Sequence, residues 1–139
     1  MREILFRGKR IDNGEWLGGS FLNDRDGSFY ICPAVSDISY GDGGNRRRIG
    51  CWYKVDPSTV GQYTGLKDKN GKLIFEGDVA KVLQGKDKDI AYVGFENGAF
   101  MLYPKTGNIY ERTLWEYWYN DWDVEVIGNI TDNPELLEK

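Results

Sequence analysis

Turn signals recur along this chain at intervals that leave room only for short strands between them. Pro33, Asp56-Pro57 and the charged run 85–89 interrupt the apolar runs, and Asn or Asp precedes Gly at residues 13–14, 26–27, 70–71 and 97–98. Such pairs tolerate the positive φ angles of tight hairpin turns, and apolar runs typical of strands flank them. The spacing predicts a mainly β chain of antiparallel or mixed strands, in a β-barrel-like or sandwich arrangement.

The densest local pattern is the stretch 59–83, which reads TVGQYTGLKDKNGKLIFEGDVAKVL. Two apolar runs flank the turn at residues 68–71, which predicts a hairpin followed by the start of the next strand. Gly77 permits a sharp bend between the second run and the third. We expect Glu76 and Asp78, on either side of it, to bond backbone N–H groups or water, since a metal site would need further ligands.

Two short helical turns are predicted, near residues 113–120 and 133–138. Thr113 followed by Glu116 fits a capping box, and Asn133 followed by Pro134 fits the start of a last helical turn. The Gly-rich, polar segment 36–48 has no sustained period and predicts a flexible surface loop. The charged run 85–89 predicts a solvated turn. At this length, residues 1–139 are predicted to form a single domain.

Histidine is absent from the sequence. That removes the usual general base near neutral pH and the commonest metal ligand, and it excludes Ser-His-Asp and Cys-His catalysis within the chain. The net charge of −4 has the wrong sign for a generally basic nucleic-acid binder. We therefore expect no enzyme, no catalytic residues, no metal and no cofactor.

The expected location is the cytoplasm. The first residues lack the apolar core of a signal peptide, and no apolar run approaches the roughly 20 residues that cross a bilayer. We therefore expect no contact with a membrane. Cys32 and Cys51 both lie in strand-like contexts, and we expect reduced, buried thiols because cytosolic disulfides are rare.

Six aromatic residues fall within a short segment: Tyr110, Trp115, Tyr117, Trp118, Tyr119 and Trp122. One short helix or strand cannot turn all six inward, so we expect some to be exposed, although a purely structural role in the core is an open alternative. Exposed Trp and Tyr beside acids suit a protein interface. The candidate interface residues are Trp115, Trp118, Tyr119 and Trp122. Base stacking would need a cationic groove, which this acidic segment does not supply.

Two charged patterns have competing interpretations. Arg46, Arg47 and Arg48 form the only basic cluster, either a solvated loop margin or a candidate contact for an anion such as phosphate. This cluster carries the alternative function, a nucleic-acid-binding β-barrel. Asp121, Asp123 and Glu125 alternate with apolar residues, which predicts three acids on one strand face. That face is a solvated surface, a metal site or a partner contact.

Several blocks of the sequence resemble the YopX-like protein family of phages and prophages. The blocks are residues 2–8 (REILFRG), 14–16 (GEW), 60–72 (VGQYTGLKDKNGK), 74–79 (IFEGDV), 126–130 (VIGNI) and 133–137 (NPELL). The resemblance implies a mainly β, barrel-like fold, an origin in a Gram-positive phage or prophage, and self-association. It implies no activity and no site residues.

The function that these patterns favour is binding. We expect a phage or prophage accessory protein, in a bacterial host, that acts as a binding or self-assembling module. The expected partners are a second copy of the chain and a host or phage protein. A nucleic-acid partner is not expected, because the aromatic segment is acidic.

Overall fold

The structure is a computed structural model that describes residues 3–33, 40–41, 46–47 and 52–138. The chain divides into two compact units, with the boundary between residues 62 and 63. Both consist mainly of antiparallel strands, as predicted. The single domain over 1–139 stays a prediction.

The amino-terminal unit is built on consecutive hairpins. Its strands are β1 (Phe6–Lys9), β2 (Trp16–Asn23), β3 (Phe29–Pro33), β4 (Tyr40–Gly41), β5 (Arg46–Arg47), β6 (Tyr53–Val55) and the start of β7 (Gly61–Lys67), with a 3-10 helix at Pro57–Thr59. Strand order is β6-β3-β2-β1-β7, and β4 pairs separately with β5. Gly14 and Gly27 take positive φ in the turns that follow β1 and β2, which confirms the first two turn signals.

Apolar side chains of several strands meet in the core of this unit. Ile31 on β3 and Val55 on β6 are fully buried. The rings of Phe6, Phe21 and Phe29 follow one another across β1, β2 and β3, with centroids 5.1 Å apart in each pair. Aromatic pairs at this spacing add to the burial of apolar area. The core thus comes from residues far apart in the sequence.

The carboxy-terminal unit contains a five-stranded sheet and one helix. Its elements are the end of β7, β8 (Leu73–Phe75), β9 (Asp78–Gln84), β10 (Asp87–Glu96), β11 (Ala99–Pro104), β12 (Arg112–Thr113), helix α1 (Leu114–Tyr119), β13 (Asp123–Asn129) and a 3-10 helix at Pro134–Leu137. Sheet order is β12-β11-β10-β9-β13, and β8 pairs with β7. The two helical elements lie within the predicted segments 113–120 and 133–138.

One core serves this unit. It contains Ile74, Ala80, Val82, Ala91, Val93, Leu102, Ile109, Leu114, Tyr117 and Val124. Residues two apart on β9 and on β10 enter it together, because side chains alternate between the faces of a strand. Leu114 and Tyr117, three residues apart, turn the inner face of α1 towards the same core.

The stretch 59–83 forms the predicted hairpin and bend. Gly71 and Gly77 have φ of 83° and 87°. Asp78 is buried, and its Oδ2 accepts the Phe75 N–H at 2.8 Å. The carboxylate thus bonds the backbone beside the bend, as expected from the sequence.

The barrel-like closure is not confirmed. Among the described residues the strands form two antiparallel sheets and the β4–β5 ladder, with no closed barrel. The outer edge of β13 is met by the turn between β7 and β8: the Lys69 N–H donates to the Val124 carbonyl and the Val126 N–H donates to Asp68, both at 3.0 Å. Charged turns that cover an edge remove its unpaired backbone groups without closing a barrel.

Two other predictions are revised. The predicted loop 36–48 contains the β4–β5 pairing, and its remaining residues lie outside the described part of the chain. The prediction of a solvated turn at 85–89 is wrong for residues 87–89, because β10 begins at Asp87 and Asp89 is buried. Asp89 bonds the segment after β11, accepting from the N–H groups of Thr106 and Asn108. A buried carboxylate needs such donors, and sequence periodicity does not show them.

Cys32 is disulfide-bonded in the structure. The predicted reduced thiol is therefore wrong at this position, and Cys51 lies outside the described residues. Pairing depends on the distance between two cysteines in the fold, which strand-like sequence contexts do not reveal.

Candidate functional site

Helix α1 is short and is fixed at both ends. At its start, the Thr113 hydroxyl accepts the Glu116 N–H at 3.2 Å and the Glu116 carboxylate accepts the Thr113 N–H, which is the predicted capping box. At its end, Asp121 adopts a left-handed φ of 57°. The N–H groups of Asp121 and Trp122 then donate back to the carbonyls of Trp118 and Tyr117. This is a Schellman motif with Asp where Gly is usual.

The outer face of α1 presents three aromatic side chains to solvent. Trp115, Trp118 and Tyr119 are 56%, 60% and 67% exposed. The rings of Trp115 and Tyr119, one helical turn apart, stack with centroids 4.9 Å apart and an interplanar angle of 21°. The expectation that some aromatics of this segment are exposed is confirmed, and we call these three residues the aromatic face.

A groove lies between α1 and the turn that joins β7 to β8. Its volume is about 630 Å³, within the range of ligand-binding clefts. The lining residues are Leu66, Lys67, Asp68, Lys69, Ile74, Leu114, Trp118, Tyr119, Asp121, Trp122, Asp123 and Val124. Trp122 is half-buried and meets Tyr117 edge to face at 5.1 Å. The groove is therefore apolar at its base and charged at its rim.

The groove is lined by charges of both signs. Asp121 and Asp123 are exposed beside the helix, and within the described chain neither carboxylate has an ion-pair partner. Lys67 and Lys69 line the same groove, and the Lys69 ammonium is paired with Glu125 at 3.1 Å. With Asp68, three carboxylates line the groove against two ammonium groups, one of which is already paired with Glu125 outside the lining. The groove thus favours positive charge.

Asp68 is ionised and serves the structure. Its burial raises the pKa, but backbone N–H groups of Val126, Lys72 and Asn70 donate to the carboxylate and hold the pKa below its ordinary value. These bonds order the β7–β8 turn and attach it to β13. The turn is consequently a fixed wall of the groove.

The structure brings together part of the predicted interface. Trp118, Tyr119 and Trp122 line the groove, whereas Trp115 lies on the aromatic face outside it. Of the predicted anion contact, Arg46 and Arg47 form β5 and Arg48 lies outside the described residues. The functional roles of both sets stay predictions.

The three acids at 121–125 are not all on one strand. β13 begins at Asp123, so Asp121 belongs to the turn before it, and Glu125 pairs with Lys69. The position of Asp121 beside the groove was missed. The capping-box start of α1 and the polar pair Asn120-Asp121 were signals for a helix end there. No group of three or more metal-ligating side chains in the described ranges could hold a metal ion.

Comparison with known proteins places the chain in a family. A family model described as YopX protein matches residues 6–138. The chain belongs to the YopX family. This YopX-family chain is also similar to a solved structure, the crystal structure of protein EF1440 from Enterococcus faecalis. The two are 27% identical over 99% of this chain and 100% of that chain, with a TM-score of 0.66. The search of curated proteins gave no match.

These findings confirm the family that the sequence blocks indicated. The match to EF1440 extends over both units of this YopX-family chain. Among the residues that the structure describes, no helix is long and apolar enough to cross a membrane.

Proposed function

We propose that this YopX-family chain is a phage or prophage accessory protein that acts in the cytoplasm of a bacterial host by binding proteins, first of all a second copy of itself. The observation that carries the proposal is the aromatic face of α1. Its three large side chains are more than half exposed and two of them are stacked on each other. Trp and Tyr exposed in this way are typical of the centre of protein interfaces.

The size of the aromatic face fits a central anchor of an interface. Three such side chains, each more than half exposed, present roughly 350 Å². A stable interface buries about 800 Å² on each partner, so the aromatic face would supply nearly half of it. The stacking of Trp115 on Tyr119 and the capped helix restrain these side chains before binding, which reduces the side-chain entropy lost on association.

The experiment is multi-angle light scattering at micromolar concentration. The wild-type chain should elute as an oligomer, a multiple of 15.9 kDa. Trp115→Ala and Trp118→Ala should shift the mass towards that of the monomer, because truncating a central anchor weakens an interface by about 2 kcal/mol or more. Phe95→Ala is the matched control, since Phe95 is a 55% exposed aromatic on β10, outside α1.

A wild-type protein that stays monomeric throughout this range would contradict self-association. So would an oligomer that Trp115→Ala and Phe95→Ala weaken equally. Circular dichroism of each variant checks that the strands are retained.

A further inference from the structure

The groove beside α1 has a chemistry that the aromatic face lacks. It places Trp118 and Trp122 next to the carboxylates of Asp121 and Asp123. Aromatic faces attract cations, and carboxylates pair with them. A planar cation satisfies both kinds of group at once, because it stacks on a ring while its N–H groups reach the oxygens.

The chain itself uses this combination for its own arginines. The Arg10 guanidinium lies 4.2 Å from the centroid of the Tyr53 ring and donates to both oxygens of Asp12, at 2.8 and 2.6 Å. Arg112 lies 5.7 Å from the centroid of Trp122 and 3.0 Å from Glu116. In each case an aromatic ring and a carboxylate hold one guanidinium.

The groove has the same aromatic and acidic components, but no arginine of the described chain lines it. Its two rim carboxylates are exposed and have no ion-pair partner within that part of the chain. We propose that the groove binds an arginine side chain from a basic segment of a different protein. This inference rests on the proposed role of the α1 surface in protein binding and names the partner residue.

Charge favours a different protein over a second copy as the source. The net charge of −4 attracts a basic segment to the whole molecule and to the groove and does not favour a second acidic copy there, whereas the aromatic face, which carries no charge, is the surface proposed for self-association. In the groove the guanidinium stacks on the exposed ring of Trp118, since Arg112 already lies over the Trp122 ring, and it pairs with Asp121 and Asp123. Lys67, which also lines the groove, can donate to a carbonyl or carboxylate of the same segment.

The experiment is an NMR titration of the full chain with N-acetyl-arginine methylamide, followed on the indole N–H signals of the tryptophans. We expect saturable shifts of the Trp118 and Trp122 signals, with affinity on the order of millimolar. The citrulline analogue has the same shape without the charge and should bind at least about tenfold more weakly. The lysine analogue should be intermediate, since its ammonium does not stack as a plane.

Three variants separate binding from folding. The double variant Asp121→Asn/Asp123→Asn should lose at least about tenfold in arginine affinity, and Glu135→Gln, which removes one charge outside the groove, should lose none. Asp121→Gly should weaken binding while it raises the melting temperature, because Gly relieves the left-handed backbone conformation. A purely structural Asp121 would give no loss of binding.

Several results would overturn the proposal. They are an absence of arginine-induced shifts, equal binding of the citrulline analogue, or a shift of the Trp122 signal on dilution of the protein alone. Trp122 lines the groove and is not part of the aromatic face, so that last result would place a second copy in the groove. If Trp115→Ala loses the oligomer but the wild type binds no arginine, the proposed function stands and the arginine site is rejected. If the wild type is strictly monomeric but binds arginine, the arginine site stands and self-association is rejected.

Discussion

At the scale of single residues, Gly8 is the most closely packed of the glycines described in the amino-terminal unit. A Cβ placed on Gly8 would lie 2.9 to 3.2 Å from the three side-chain carbons of Val55. Val55 is buried and β-branched, so it has little freedom to move away. Gly8 therefore allows β1 to approach Val55 on β6, because glycine has no side chain and not because of its backbone conformation.

We predict that Gly8→Ala lowers the free energy of unfolding by about 1–3 kcal/mol, the usual cost of overpacking a core. Urea denaturation followed by circular dichroism measures it. Gly18→Ala is the matched control, because Gly18 is on the neighbouring strand β2 and its Cβ would have no atom closer than 3.8 Å. Equal effects of the two substitutions would contradict this account of Gly8.

At the scale of elements, α1 depends on its ends because it is only six residues long. Isolated helices of this length are unstable in water, so the capping box, the Schellman motif and the burial of Leu114 and Tyr117 must supply its stability. The Tyr117 hydroxyl also donates to the Tyr110 carbonyl, at 3.0 Å. Burial raises the Tyr117 pKa to about 12, so the phenol stays protonated and keeps this bond at physiological pH.

We predict that Thr113→Ala lowers the free energy of unfolding by about 1 kcal/mol, because the Glu116 N–H loses its acceptor. Since α1 carries the aromatic face, the same variant should also weaken self-association. Thr113→Ser retains the hydroxyl and should restore both properties. Thermal unfolding and light scattering measure the two effects, and a Thr113→Ser variant as impaired as Thr113→Ala would show that the cap is not the cause.

At the scale of the whole molecule, two ionised carboxylates tie distant segments together in the carboxy-terminal unit. Asp68 joins the β7–β8 turn to β13, and Asp89 joins β10 to the segment after β11. Burial raises the pKa of Asp89, but the Thr106 hydroxyl and the N–H groups of Ile90, Thr106 and Asn108 outweigh it, so its pKa is lowered. Both links therefore depend on ionisation.

We predict that stability falls as the pH drops through and below 3.8, the ordinary value of these carboxyls. The folded protein holds these two protons less tightly than the unfolded chain, so the stabilisation is present above that pH and is lost as both groups protonate. Asp89→Asn should lower the free energy of unfolding by about 2–3 kcal/mol at pH 7, since the amide cannot replace a charged acceptor. The variant should also lose less stability than the wild type when the pH is lowered. Urea denaturation at pH 7 and pH 3 measures both effects.

The control for this prediction is Asp87→Asn, which removes an exposed charge two residues away. It should leave the pH dependence of stability near that of the wild type. If Asp89→Asn lost as much stability at low pH as the wild type does, the role given to this carboxylate would be contradicted.

The sequence by itself determined most of the elements and the family. Hairpin turns, the capping box of α1 and the bend at Gly77 follow from residues within a few positions of each other, because turn and cap geometry is local. The blocks around 60–79 also indicated the YopX family. The strand pattern predicted a mainly β fold, and local rules were sufficient for that.

The tertiary structure alone decided the rest. Whether a sheet closes, which acid is buried and what lines a groove depend on contacts between residues far apart in the chain. Asp68 and Val126 are 58 residues apart, and their hydrogen bond both covers the edge of β13 and fixes one wall of the groove. The sequence pattern predicted Asp121 as the first residue of an acidic strand face. In the structure it lies before β13, in the Schellman turn beside Trp118. Periodicity describes one strand, whereas a binding site is made where several elements meet.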